Sequence, residues 1–242
     1  MTQSIAIFWF RRDLRLNDNA GLYHALKSGK PVLPLFIFDK NILDDLPNRR
    51  DARVEFIHQT IEHLAKELAE QGSSIKVGFG KPLEIWHQLL EEYPVAEVYT
   101  NRDYEPYALE RDQAVAKLLE SKSIPFHTYK DHVIFEKDEV LKDDGTPYTV
   151  FTPYSRKWHA AMEKDTLQTF STAQYFQHFL KTNPIPLPAL GDLGFEPAGI
   201  PFPPDSVSSG LIRKYDQTRD YPGIDGTSRL GPGHPCSVAG GG

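Results

Sequence analysis

The sequence predicts an α/β fold, a doubly wound five-stranded parallel sheet with helices on both faces, and three observations predict it. Two segments, Ile5–Phe10 (IAIFWF) and most of Val32–Phe38 (VLPLFIF), are continuously apolar. Such runs suit strands covered on both sides, where no solvent-facing alternation is expected. Shorter strand candidates follow at Ser74–Val77, Glu97–Thr100 and Pro125–Tyr129. Amphipathic helical patterns separate them, and the order β-α-β-α-β-α-β-α-β calls for parallel pairing through right-handed crossovers.

The clearest helix is Ala52–Gln71. There Val54, Ile57, Ile61, Leu64 and Leu68 recur three and four residues apart on a single face, and Gly72 follows as a C-terminal cap. Pro82–Glu92 and Ala108–Lys122 are two more helices, the second turning Val115, Leu118 and Leu119 inward. After Lys130 the pattern changes. Asp143-Asp144-Gly145-Thr146 is a turn signal, Thr152–Lys164 a helix and Leu211–Gln217 a short helical segment. Residues 181–204 hold seven of the chain's 19 prolines, a composition that predicts no core element but an extended connector. The chain therefore divides into an α/β domain at 1–130, a connector with one helix at 131–204, the start of a second domain at 205–230 and a glycine-rich tail at 231–242.

Composition bounds the rest. Of 242 residues, 40% are apolar and 25% charged, which excludes disordered and fibrous classes. No apolar run approaches the ~20 residues of a membrane helix, and the N-terminus lacks a signal peptide's charged start, so a cytoplasmic protein is expected. One cysteine, Cys236, excludes an internal disulfide and any multi-cysteine metal site. The net charge of −6 excludes a globally basic nucleic-acid binder; its acidic excess lies in residues 1–151, while 152–230 are balanced.

Ligands of a doubly wound sheet bind at the carboxyl ends of its strands. The loop after the first strand runs Arg11-Arg12-Asp13-Leu14-Arg15-Leu16-Asn17-Asp18-Asn19. Its arginines suit an anion, or an internal network with Asp13 and Asp18, the reading composition favours. Asn101-Arg102-Asp103-Tyr104-Glu105-Pro106-Tyr107 follows the fourth strand; its carboxylates suit a ring or ribose, or a helix cap. Gly78-Phe-Gly80-Lys81-Pro82 lacks a third glycine and a P-loop Lys-Ser/Thr pair, so it is a plain strand-to-helix turn. Nine scattered histidines form no ligand spacing, no metal site is expected, and Trp9, Trp86 and Trp158 are candidates for core packing. Within Arg219–Leu230, Asp-Gly followed by Thr-Ser offers hydroxyls, amides and an arginine suited to a phosphate, or equally an ordinary turn and cap.

Four segments in register are recognisable. Trp9-Phe-Arg-Arg-Asp-Leu-Arg-Leu-Asn-Asp-Asn19, Asn101-Arg-Asp-Tyr-Glu-Pro-Tyr107, Val150-Phe-Thr-Pro-Tyr-Ser-Arg-Lys-Trp158 and Arg219-Asp-Tyr-Pro through Gly226-Thr-Ser-Arg-Leu230 resemble the DNA photolyase/cryptochrome family, most closely the N-terminal part of a class I cyclobutane pyrimidine dimer photolyase. The resemblance implies a Rossmann-like domain holding an antenna chromophore, then a linker and the truncated start of an α-helical FAD-binding domain. It implies light-driven repair of UV-damaged DNA, in which photoexcited reduced FAD gives an electron to a flipped-out pyrimidine dimer and recovers it after the dimer splits. A cryptochrome-type photoreceptor and a non-catalytic chromophore-binding module are the alternatives.

Carried over by position, Tyr215, Thr227, Ser228, Arg229 and Leu230 match the family's first FAD-contacting segment. The antenna candidates are Arg12, Phe36, Arg53, Asp103 and Glu105, and a deazaflavin or flavin is favoured over folate because Tyr107-Ala108 replaces the Asn-Glu pair of folate-binding members. The resemblance places the catalytic residues and tryptophan relay in a further helical domain, with the full-length protein a monomer and this chain alone inactive. After Leu230 the sequence departs from the family, as a frameshift, a gene fragment or a cloning junction would each produce. Without that domain the apolar side chains Phe151, Trp158, Leu211 and Ile212 are expected to be bare, and the chain to self-associate.

Overall fold

In the computed structural model, the structure describes residues 3–164, 168–201, 207–224 and 226–227. Five parallel strands, β1 (Ile5–Phe10), β2 (Val32–Asp39), β3 (Lys76–Gly80), β4 (Val95–Asn101) and β5 (Phe126–Tyr129), form one sheet in the order β3-β2-β1-β4-β5. The helices are α1 (Ala20–Lys27), α2 (Lys40–Leu43), α3 (Ala52–Glu70), α4 (Pro82–Glu92), α5 (Pro106–Ser121), α6 (Phe151–Met162), α7 (Ser209–Arg213) and α8 (Tyr215–Thr218). The strand order reverses at β1, between β2 and β4, and this is the topological switch point at which the carboxyl ends open a crevice.

Each strand residue turns its side chain opposite to the next, so the continuous apolar run of β1 feeds two cores. Ala6, Phe8 and Phe10 join Leu22 and Leu26 of α1 and Ile61, Leu64 and Leu68 of α3 on one face. Ile5, Ile7 and Trp9 join Trp86 and Leu89 of α4 and Val115 and Leu119 of α5 on the other. Trp9 and Trp86 meet edge to face at 5.5 Å, so both tryptophans pack in the core as expected. Helix boundaries follow local chemistry. Asn19 caps α1 by accepting from the Leu22 amide at 3.0 Å, and Asp51 caps α3 from the Arg53 amide at 2.9 Å. Gly72, at φ 66°, ends α3 in the left-handed region.

Four expectations shift. The third strand runs two residues later than Ser74–Val77, because its ladder with β2 pairs Leu35 with Lys76 and Asp39 with Gly80. Gly78 and Gly80 therefore lie in the strand rather than in a turn. A Cβ on Gly78 would stand 2.8 Å from Ile85 Cγ2, so glycine there lets α4 pack close to the sheet. The segment Leu211–Gln217 is two short helices, α7 and α8. Trp158 is half-buried, edge to face with Phe135 at 5.7 Å, on a helix with no fully buried residue, so it is not part of the sheet's core.

The fourth correction concerns the connector. Its proline-rich part, residues 181–204, was expected to form no core element, yet it buries Leu193 and Phe195 in the α1/α3 core; with Phe179 just ahead of it buried in the same core, residues 170–198 run as a strap over the α/β domain. Prolines lack the amide that would need a partner, and several of the remaining polar groups find theirs on the domain. The Leu180 amide donates to Val32 O at 2.8 Å, the Ile185 amide to Ser74 Oγ at 2.9 Å and the Glu196 amide to Arg49 O at 2.8 Å. Thr172 Oγ1 donates to Leu16 O at 2.6 Å, and His58 Nε2 donates to Pro188 O at 2.8 Å. Outside the strap, Phe151 (77% exposed) and Ile212 (58% exposed) are bare, as expected, whereas Leu211, like Trp158, is half-buried.

Candidate functional site

A cleft of about 280 Å³ opens at the carboxyl ends of β1 and β2, beside the switch point. Its floor is apolar: Phe36 and Phe38 of β2, Leu43 of α2, and Val54 and Ile57 of α3. Phe36 is buried and packs edge to face with Phe38 at 4.9 Å. The rim is polar, with Arg11 and Arg12 from the end of β1, Asp39 from the end of β2, and Asp103, Glu105, Tyr107 and Arg111 from the β4–α5 connection and α5. A cleft with an apolar floor and several polar groups in its lining is suited to a ring system with heteroatoms at its border.

The rim is electrostatically ordered. Arg12 bridges two carboxylates, Asp103 at 3.2 Å and Glu105 at 2.6 Å. Glu105 is the chief cause that raises the Arg12 guanidinium above its ordinary value. Burial alone would raise Asp103, but the Tyr104 amide, then Arg12 and the Glu105 amide, outweigh it and hold the carboxyl below the usual range. Asp39 behaves oppositely. Burial raises it, although the Tyr107 hydroxyl donates to it at 2.5 Å and the Asn41 amide at 3.0 Å. Burial, followed by that bond to Asp39, pushes the Tyr107 phenol up to about 12.

The remaining arginines are held inside the protein. Arg11 pairs with Asp112 and donates to Asn101 O, while Arg111 reaches Asp112 at 3.1 Å; both guanidiniums lie over the Trp9 ring, at 5.2 and 5.0 Å. Arg15 pairs with Asp131 at 2.9 Å. The internal-network reading of the first loop thus holds in kind but with other partners. Asp13 instead accepts from the Arg11 amide at 2.8 Å and from Asn101 Nδ2 at 2.5 Å, and Asp18 from the Phe170 amide at 2.7 Å.

Of the antenna candidates, Arg12, Phe36, Asp103 and Glu105 come together in this cleft, whereas Arg53 does not line it. Arg53 is exposed at the start of α3 and bound to Asp51 through two contacts, at 2.9 and 2.5 Å. Sequence reasoning missed Asp39, Tyr107 and Arg111. Asp39 carried one usable signal, a carboxylate closing an apolar strand at the edge where such sheets bind ligands. Of the FAD candidates, Tyr215 and Thr227 are described and both are exposed. Gly226 folds back on α8, where a Cβ would stand 2.5 Å from Thr218 Cβ, and Thr218 Oγ1 donates to Gly226 O at 3.0 Å. Ser228, Arg229, Leu230, the tail and Cys236 lie outside the described residues. Among the described residues no cluster of histidine, cysteine or carboxylates could hold a metal, and no helix is long and apolar enough to cross a membrane.

The sequence and the fold have counterparts in known proteins. The chain is 30% identical over 241 residues to a deoxyribodipyrimidine photo-lyase of Synechococcus sp., covering 93% of this chain and 50% of that enzyme. It is equally 30% identical to an uncharacterised 31.6 kDa protein of another Synechococcus strain, over 99% of this chain and 87% of the relative. The fold superposes on a bacterial class III photolyase of Agrobacterium tumefaciens with a TM-score of 0.72 at 22% identity, across 94% of this chain and 49% of that one. It also superposes on an archaeal photolyase of Sulfolobus tokodaii, crystallised with two FAD molecules that imply a novel light-harvesting cofactor, with a TM-score of 0.55 at 26% identity over 69% and 36%. The chain thus spans about half the length of the photolyases it matches. The DNA photolyase family model matches residues 6–173, the sheet, its cleft and the start of the strap, and on that match the chain belongs to the DNA photolyase family.

Proposed function

We propose that this chain is the light-harvesting part of a photolyase that repairs cyclobutane pyrimidine dimers in DNA, and that the cleft at the ends of β1 and β2 holds its antenna chromophore, a flavin or deazaflavin. The observation that carries the reading is the cleft itself, an apolar slot floored by Phe36 and Phe38 and edged by Arg12, Asp103 and Glu105. A bound chromophore would supply light absorption and transfer of its excitation. The residues of the chain do the rest: the phenylalanines exclude water from the ring's face, and the rim carboxylates and Tyr107 orient its polar border.

The same reading assigns residues 205–230 to the opening of the FAD-binding domain, with Tyr215, Thr227, Ser228, Arg229 and Leu230 against the cofactor. Tyr215 and Thr227 are exposed and offer FAD an open surface rather than a cradle, so no catalytic step is assigned to them. DNA repair belongs in this reading to the longer protein. One observation favours a second reading, a chromophore-binding module without catalysis: a 31.6 kDa relative is matched over 87% of its length.

The test is the near-ultraviolet and visible absorption of the purified chain, with any chromophore released and identified by mass. The expected result is one flavin or deazaflavin per chain, lost when Asp103 or Glu105 is replaced by alanine. A colourless chain that takes up none of these rings in titration would overturn the assignment. Light-dependent dimer repair by this chain alone would overturn the division of labour.

A further inference from the structure

The arginines around the cleft are already paired within the protein, and this bears on which ring it accepts. Among the described residues, the cleft is lined by three arginines and three acidic side chains, Asp39, Asp103 and Glu105. Arg11 and Arg111 both pair with Asp112, and Arg12 with Asp103 and Glu105. Arg53, the nearest cation on α3, is held by Asp51. Asp39 is in no ion pair among the described residues; its oxygens accept from an amide and a phenol, and Arg111 acts on it only at longer range.

The backbone positions where such a sheet ordinarily receives a phosphate are likewise occupied. The Asp39 carboxylate takes the Asn41 amide, Asp51 the Arg53 amide at the start of α3, and Asp103 the Tyr104 and Glu105 amides ahead of α5. The α4 terminus begins with Pro82, which has no amide hydrogen, and carries Glu84 in its first turn. A phosphate entering this cleft would have to displace a carboxylate from its cation and would add negative charge where three arginines already face four carboxylates, Asp39, Asp103, Glu105 and Asp112.

We infer that the cleft discriminates against phosphate, accepting a flavin or deazaflavin ring with a neutral side chain in preference to a flavin nucleotide. This deepens the chromophore reading and rests on it. The uncharged polyol of such a ligand loses little by lying at the exposed mouth, beside the exposed Arg12 and Glu105.

The experiment titrates the purified full chain with riboflavin, 5-deazariboflavin, FMN and FAD, following flavin fluorescence anisotropy at low ionic strength. Riboflavin or its deaza analogue is expected to bind roughly tenfold tighter than FMN, whose phosphate brings nearly two negative charges. The gap should narrow as salt rises, since screening weakens the repulsion. In Asp39→Asn, which removes one charge and keeps an acceptor for Tyr107, the gap should shrink about fivefold. FMN or FAD binding as tightly as riboflavin to the unaltered chain would overturn the discrimination and leave the chromophore reading standing. If none of the four rings binds, the chromophore reading fails and the discrimination fails with it. The comparison on the unaltered chain decides the matter even if the Asp39 variant does not fold.

Discussion

Replacing Phe179 with alanine separates a strap that is part of the fold from a connector that merely passes over it. Phe179 is 1% exposed, packs on Phe176 at 5.3 Å between ring centres and shares the core of α1 and α3. Its neighbour, Leu180, donates its amide to Val32 O at the start of β2. Removing a fully buried phenylalanine side chain costs about 3–5 kcal/mol, the transfer term plus the cavity left behind. For a chain of this size that corresponds to a fall of about 6–20 °C in Tm. The same substitution at Phe151, 77% exposed on α6, should change stability by no more than about 0.5 kcal/mol. Urea unfolding followed by far-ultraviolet circular dichroism gives both numbers, and an unchanged urea dependence would show that the two variants unfold from equally compact states. If Phe179→Ala is as mild as Phe151→Ala, the strap is not packed in solution and residues 170–198 are a connector after all.

Gly21→Ala should destabilise by about 1–3 kcal/mol in the same assay, because its Cβ would stand 2.7 Å from Asn101 Oδ1 and 2.8 Å from Phe8 Cε2, with the Asn101 side chain held by Asp13 and Asn19; a neutral result would mean that α1 can move off the sheet at no cost. Asp103 titrates below the ordinary carboxyl value when folded, so its stabilising contribution is complete above about pH 4 and disappears as pH falls through the lowered value. Asp103→Asn should therefore cost roughly 1 kcal/mol at pH 7, a figure moderated by the exposure of Arg12, and nothing once pH has fallen below that lowered value; a cost that persists in stronger acid would remove the ion pair as its cause. The double change Phe151→Ser and Ile212→Ser should reduce self-association in sedimentation velocity while leaving the unfolding midpoint unchanged, and a monomeric parent chain at the same concentration would count against the exposed surface being adhesive.

What could be read from the sequence and what could not divide along a physical line. The β1 and β2 runs were legible because a strand buried on both faces needs no alternation, and α3 because its face repeats every three to four residues. Gly78 and Gly80 misled because glycine usually punctuates, whereas here it makes room for Ile85 of a neighbouring helix, a demand that no local pattern expresses. The strap misled for a related reason. Proline density predicts a chain without a ladder of its own, and that is true of residues 184–188; it says nothing about whether Phe179 and Phe195 on either side are received by a core elsewhere.

The cleft shows the same division at the level of chemistry. Arg12, Asp103 and Glu105 could be named because they follow strands whose carboxyl ends must converge. Arg53 could not be excluded from sequence, because only the geometry of the α3 cap shows it bound to Asp51 outside the slot. Asp39 and Tyr107 are 68 residues apart and meet only because the sheet brings the end of β2 beside the start of α5. A loop of three arginines after a buried strand suits an anion or an internal network, and composition, which favours the network, cannot name its partners. The sign of a site is set by which charges remain without partners once the chain has folded. Here every lining arginine has found a carboxylate, and Asp39 accepts from an amide and a phenol with Arg111 acting on it only at longer range, so a basic-looking loop builds a cleft whose arginines are outnumbered by carboxylates.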